Sequence, residues 1–422
     1  MRKYRTLTGL ISPFLPLWLG LRKTKGKEDG KRIRERFGIA SIPRPKGRLL
    51  WLHAASVGEA NSVLFLISKI RERFPHVKLF LTTGTVTSAR LMQARLPQGV
   101  IHQYAPVDTP QATRRFMRHW QPQLAFWVES EFWPNLIETA DRWQCYMGVI
   151  NARMSERSYL KWKKHPAMIS DMLSCFDLMF AQSEEDGARL KILGAKEVVC
   201  IGNLKYDAAM LPCDEAELLR LKNGVGRRPL WLAASTHPGE EEMVAEAHRL
   251  LASMRPDLLT VIVPRHPERG SEIAKMLKAE WRVAQRSMQA SLAADTQIYI
   301  ADTLGELGLF YRLCEIVFMG GSLVRHGGQN PLEAARLSCA IVMGEHTHNF
   351  DAMLRDMEKL GIILRAKNAQ SLAAHIAQLL NDATLRITMQ TNVRRWVESK
   401  SGTAERLLEL LSPLLEVKEK ST

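Results

Sequence analysis

Two groups of polar residues in this 422-residue sequence have the types and spacing for chemistry, and both recur where short apolar runs end. The first group is rich in acids. It comprises His53, Ser56 and Glu59 in HAASVGEANS (53–62), TTGT (82–85), Glu129 and Glu131 in ESEFWPN (129–135), Asn151, and Lys205 in GNLKYD (202–207). A carboxylate near a desolvated helix terminus serves as a general base when it stays ionised and reaches a hydroxyl. Glu59 has that placement, in the first helical turn after the run LLWL. The plain alternative is a surface acid that complements the helix dipole, worth about 0.3–1 kcal/mol.

The second group reads as a nucleotide-phosphate site. It spans AASTHPGEEE (233–242), VPRHPER (263–269), ADTLGEL (301–307), GGSLVRHGGQNPLEAA (320–335) and GEHTHNF (344–350). GGS permits close backbone approach, Arg265 adds fixed charge, and GGQNPLE opens a helix whose free N–H groups attract anions. Glu333 falls in the first turn of that helix, placed to accept bonds from ribose hydroxyls. Taken singly, a glycine pair is a turn, an exposed arginine faces water and a first-turn acid is a cap. Their recurrence at successive strand ends is what favours a site.

Other chemistries fit poorly. His346 and His348 have a strand-like metal spacing without a third ligand nearby, and no DxD pair suggests a metal bound to diphosphate. Ser56 lacks the G-x-S-x-G surroundings of an acyl-enzyme nucleophile. The six cysteines are scattered without a C-x-x-C pair, as expected of reduced structural thiols in a cytosolic compartment.

The elements that must position these residues are strands and helices in alternation. From residue 49 onward, β-rich apolar runs are each followed by a helical period or a turn, the signature of parallel sheets. The order lapses near 207–228 and restarts at LWLAAST (230–236), so two doubly wound α/β domains in tandem are expected. The expected boundaries are an arm over 1–48, a first domain over 49–210, a linker over 211–228, a second domain over 229–390, and terminal helices over 391–416 that return to the first domain.

The arm stands apart in charge. Residues 1–48 hold 14 Lys+Arg against 3 Asp+Glu, which is +11 of the chain's net +15. Charge confined to one end argues against a nucleic-acid partner, for which a basic face would spread over the folded body. Within the arm, TLTGLISPFLPLWLGL (6–21) carries no charge and is flanked by RKYR and RKTKGK. As one helix it reaches ~24 Å against a ~30 Å hydrocarbon core, and Pro13 and Pro16 weaken it further. It is expected to lie in the interface of an anionic membrane.

The motifs HAASVGE, ESEFWPN, GNLKYD, VPRHPER, DTLGELGLFY and GGQNPLEAARLSCAIVMGEHTHNF, in that order, resemble those of the 3-deoxy-D-manno-octulosonic acid (Kdo) transferases of lipopolysaccharide biosynthesis. The likeness spans nearly the whole chain, including the basic-apolar arm ending in RERFG. It implies a GT-B glycosyltransferase with two Rossmann-like domains and an inter-domain cleft. It further implies CMP-Kdo as donor, a lipid A precursor as acceptor, no cofactor or metal, and the cytoplasmic face of the inner membrane as location. On the family pattern Glu59 is the catalytic base, and Glu129 and Lys205 stabilise the transition state. Pro264, Arg265, Leu304, Gly305, Glu306, Asn330, Pro331, Leu332 and Glu333 hold the CMP. Ala334 and Glu345 stand where the family commonly has prolines, which is expected to soften the nucleotide loop. Alternatives are another GT-B nucleotide-sugar transferase or epimerase, and a catalytically inactive membrane-bound nucleotide-sugar-binding protein.

Overall fold

In the computed structural model, which describes residues 1–290 and 292–416, the alternating runs fold as two parallel seven-stranded sheets. The first comprises β1 (Leu49–Ala54), β2 (Lys78–Thr83), β3 (Ile101–Tyr104), β4 (Leu124–Val128), β5 (Tyr146–Ala152), β6 (Leu178–Ala181) and β7 (Val198–Cys200), in the order β3-β2-β1-β4-β5-β6-β7. The second comprises β8 (Leu230–Thr236), β9 (Leu259–Pro264), β10 (Val283–Gln285), β11 (Ile298–Ile300), β12 (Ile316–Met319), β13 (Ala340–Met343) and β14 (Ile363–Arg365), in the order β10-β11-β9-β8-β12-β13-β14. Only β10 carries no apolar signal of its own, being three residues of mixed polarity. Strand order reverses around β1 in one sheet and β8 in the other, the positions where loops diverge and ligands bind in such folds.

Both faces of each sheet are covered, which is why the strands read as continuous apolar runs. Leu50 and Leu52 of β1 pack into one core with Val63, Leu66 and Ile70 of helix Val57–Arg73. Trp51 points the other way, into a core with Phe116, Trp120 and Trp127. The second sheet buries Trp231 and Phe318 with Val244 and Leu251 of helix Glu240–Ala252.

The chain divides into two compact units, Met1–Ala208 with the described residues from Lys400 onward, and Ala209–Ser399. Two features differ from the sequence expectation. Residues 28–48 are not part of a separate arm, since Arg36 donates to the Ala105 carbonyl (2.5 Å) and Glu35 accepts from the Tyr104 amide (2.8 Å). Gly38 (φ +76°) is required there, because a Cβ would lie 2.0 Å from the Ala112 carbonyl oxygen. Likewise only helix Thr403–Leu415 joins the first unit. Leu407, Leu408 and Leu411 pack beside helix Val57–Arg73, whereas helix Ala383–Lys400 places Met389 in the second unit's core.

The first 24 residues form helix Arg2–Ile11, a 3-10 turn Ser12–Phe14 and helix Leu15–Thr24. Pro13 and Pro16 fall at the starts of the last two elements, where a missing N–H costs nothing. Among the described residues, no helix is long and apolar enough to cross a membrane. This segment is tethered to the body: Tyr4 bonds Asp108, Arg5 pairs with Glu138 (3.1 Å), and Asn135 donates to Thr8 (2.9 Å). Its outward side exposes Leu7, Leu10, Ile11, Phe14, Leu17, Trp18 and Leu21.

Candidate active site

The first unit assembles its polar residues at the carboxyl ends of β1, β4, β5 and β7. After β1 the chain turns at Ala55, and Ser56 caps helix Val57–Arg73 by accepting from the Glu59 amide. The Glu59 carboxylate folds back on the same turn, accepting from the Ala55 amide (2.8 Å) and the Ser56 hydroxyl (2.7 Å). Glu59 is only 7% exposed, so it is not the surface acid of the plain reading. Burial, reinforced by the negative charges of Glu131 and Glu129, pushes its carboxyl up to about 7 against the pull of those two hydrogen bonds. Gly84 of TTGT closes the other side of the turn: its amide bonds the Ala55 carbonyl (3.0 Å), and a Cβ would sit 2.9 Å from that oxygen.

Glu129, just after β4, and Asn151, the penultimate residue of β5, have φ of +61° and +56°, a strained conformation for residues with side chains. The Glu129 carboxylate meets the Lys205 ammonium at 2.6 Å, and Glu131 accepts from the Trp133 indole at 2.9 Å. Lys205 rides on the short turn Leu204–Asp207, which is held from two sides. Asn151 accepts from the Leu204 amide (3.0 Å) and Asn203 from the Lys205 amide (2.9 Å). Asp207 accepts from the amides of Gly402 and Ala404, both at 2.6 Å, fastening the turn to the last helix. Asp207 escapes notice in the sequence, because its partners lie in another element.

His53 does not join this set. It points to the opposite face of β1, bonds Thr82 through Nδ1 (2.9 Å), and is held neutral by burial, which pushes it down to about 3.

In the second unit the strand-end acids are bound internally. Glu240 accepts four backbone N–H bonds, from Gly321 (2.6 Å), His237 (3.0 Å), Ser322 (3.0 Å) and Leu323 (2.9 Å). The Gly321 and Ser322 amides of GGS are therefore already satisfied by a side chain of the same unit, and the Gly320 amide bonds the Ala234 carbonyl (2.8 Å). Glu241 accepts from Thr236 (2.9 Å) and Arg269 (2.7 Å). Glu306 is gripped by Arg286 at 2.5 Å through both oxygens and also bonds Thr303, which holds its carboxyl below the usual range.

The outward residues include cationic and neutral groups beside the exposed acids Glu242, Glu268 and Glu345. Arg265 and His266 stand exposed beyond β9, where Pro264 is the last strand residue, and Leu304 (84% exposed) and Gly305 (φ +85°) form an open turn beyond β11. His237 receives the Gln329 amide at 2.8 Å and lies against His326 with ring centres 3.8 Å apart, joining the β8 and β12 loops. Asn330 accepts from the Leu332 amide (3.1 Å), after which Pro331 leads into a helix of five residues, Leu332–Arg336, with Glu333 in its first turn. So short a helix has little dipole to offer an anion. The segment with Glu345 is anchored by Ser322, whose hydroxyl accepts from the Gly344 amide (2.7 Å) and whose carbonyl accepts from His346 (2.9 Å).

Comparison with known proteins bears on both units. A family model for 3-deoxy-D-manno-octulosonic-acid transferase (kdotransferase) matches residues 31–208. The chain is 36% identical to the 3-deoxy-D-manno-octulosonic acid transferase of Haemophilus influenzae, covering 98% of both chains. It is 38% identical to a probable mitochondrial enzyme of the same name from Arabidopsis thaliana, covering 85% of this chain and 82% of that one. Among solved structures, a UDP-GlcNAc 2-epimerase from Neisseria meningitidis matches with a TM-score of 0.59 at 12% identity, covering 87% of this chain and 100% of the other. That likeness is one of fold: two Rossmann-like domains of the GT-B class.

Proposed function

The chain belongs to the 3-deoxy-D-manno-octulosonic-acid transferase family, a glycosyltransferase family of lipopolysaccharide biosynthesis, and from this premise we propose how it transfers Kdo. The donor is CMP-Kdo and the acceptor a glucosamine hydroxyl of a lipid A precursor. Glu59 takes the hydroxyl proton as the oxygen attacks the anomeric carbon. The bond from that carbon to the phosphate oxygen breaks, its electron pair leaves with CMP, and the configuration inverts. Glu129 and the neighbouring carboxylates stabilise the positive charge that develops on the sugar as the bond loosens, and Lys205, held on Glu129, stabilises the negative charge that develops on the departing phosphate. Arg265 and the turns at Leu304–Glu306 and Asn330–Glu333 hold the departing nucleotide.

The observation that carries this reading is the state of Glu59. An acid raised to about 7 is near the optimum for exchanging a proton at neutral pH, and two of its lone-pair sites are left for a substrate. Mass spectrometry of purified enzyme with CMP-Kdo and a lipid A precursor tests it: the acceptor should gain Kdo as CMP appears. CMP release without glycosylated product would overturn the assignment.

We also assign residues 1–24 to the cytoplasmic surface of the inner membrane. Seven exposed apolar side chains between basic flanks support an interfacial segment. Because Arg5 and Thr8 bond the helix that follows ESEFW, Pro134–Arg142, and Tyr4 bonds Asp108, deleting the segment also removes supports near the acids. Leu10→Ser with Phe14→Ser tests attachment without cutting those bonds, and should weaken vesicle binding.

A further inference from the structure

Some surface arginines in this protein are neutralised by an acid one turn away, as in Arg142–Glu138, Arg189–Glu185 and Arg220–Glu217. Helix Glu156–Trp162 and the turn after it present a cluster of cations without such pairs. Arg157, Lys161 and Lys164 fall at helical spacing on one side, all exposed, and no ion pair engages them among the described residues. Leu160, 54% exposed, sits among them. The opposite side carries Tyr159 and Trp162, which pack against the first unit's core.

Unpaired cations surrounding an outward leucine, on a helix fixed from beneath by two aromatic rings, match a surface that meets anionic headgroups with its charges and the acyl boundary with its apolar tip. The start of the N-terminal segment reaches the neighbouring helix: the Met1 ammonium lies 3.5 Å from Asp171 of helix Pro166–Leu173, and Met1 packs on the same core cluster as Tyr159 and Trp162. Just before the patch the Arg153 carbonyl accepts from Ser130, between the two acids of ESE.

We infer that the cationic face of residues 157–164 is a second membrane-docking surface, engaging the anionic lipid of the bilayer independently of the N-terminal segment. It goes beyond the catalytic reading and does not depend on it, since docking needs neither donor nor acceptor.

The test is co-sedimentation of the full-length protein with phosphatidylcholine vesicles with and without phosphatidylglycerol. Each basic residue at an anionic surface strengthens partitioning by roughly fivefold, so Arg157→Gln with Lys161→Gln and Lys164→Gln should weaken binding to the anionic vesicles at least tenfold. It should leave binding to neutral vesicles unchanged and flatten the salt dependence. Lys275→Gln with Lys278→Gln, exposed in the second unit, should bind as wild type. Leu160→Ser provides a milder variant, expected to weaken binding to both vesicle types. Undiminished binding of the triple variant to anionic vesicles would overturn the inference. So would normal vesicle binding with a raised KM for detergent-dispersed acceptor, which would make the patch a reader of acceptor phosphates instead.

Discussion

Glu59 and Glu240 occupy corresponding places in the two units, each in the first turn of the helix that follows the strand where the sheet order reverses, β1 or β8. Both are buried, and burial pushes both carboxyls up. They differ in how they are satisfied. Glu240 accepts four backbone N–H bonds, filling a carboxylate's capacity, and so fastens the GGS loop to its helix. Glu59 accepts two bonds, faces the charges of Glu131 and Glu129, and keeps room for a substrate proton. The same fold position thus yields a brace in one unit and a candidate base in the other, and partner count separates them.

Exchanging each acid for its amide is the most direct way to break this comparison. Glu59→Gln should lower kcat by roughly 10²–10⁴-fold, the usual contribution of a general base, with the thermal midpoint maintained. Glu240→Gln should instead destabilise the second unit by roughly 1–3 kcal/mol, because an amide nitrogen faces N–H donors. A melting and turnover series on both variants decides, and a catalytic loss at Glu240 without loss of stability would reverse the assignment.

Lys205→Ala should cost about 10²-fold in kcat, as for loss of one transition-state contact, with little change in KM. Asn151→Ala, which loosens the turn carrying Lys205, should give the same kinetic pattern more weakly. Parallel rises in KM would place both residues in ground-state binding.

The pH dependence sharpens the contrast further. Turnover should rise with pH through about 7 as Glu59 ionises. Stability moves oppositely: with the folded-state value above the ordinary carboxylate one, the contribution of the buried neutral acid is present at low pH and lost as pH rises through about 7. Glu131→Gln removes a like charge and should move the kinetic inflection down, measured from kcat/KM against pH. A fixed inflection would mean that another group titrates.

The smallest expected effect is on the cationic side. Arg265→Ala should weaken CMP binding about tenfold by calorimetry while leaving UDP, a poorer ligand, less affected. Equal affinity for the two nucleotides would favour a uridine diphosphate donor.

The sequence by itself determined much of this. Short apolar runs located 13 of the 14 strands among the described residues, because a parallel strand covered on both faces must be largely apolar. The position of polar residues just beyond those strands brought Glu59, Glu129, Lys205 and Arg265 forward, since loops at the carboxyl ends are where such sheets carry their chemistry. Tertiary structure decided which acids remain available. Three of the four partners of Glu240 lie some eighty residues away, and those of Asp207 nearly two hundred, so no local pattern reveals them. The same holds for residues 28–48, whose basic composition suggests a free arm although Glu35 and Arg36 are bonded to β3 and the residue after it. Hydrophobic period is a local property of the chain, whereas the satisfaction of a buried polar group depends on whichever distant backbone folding brings against it.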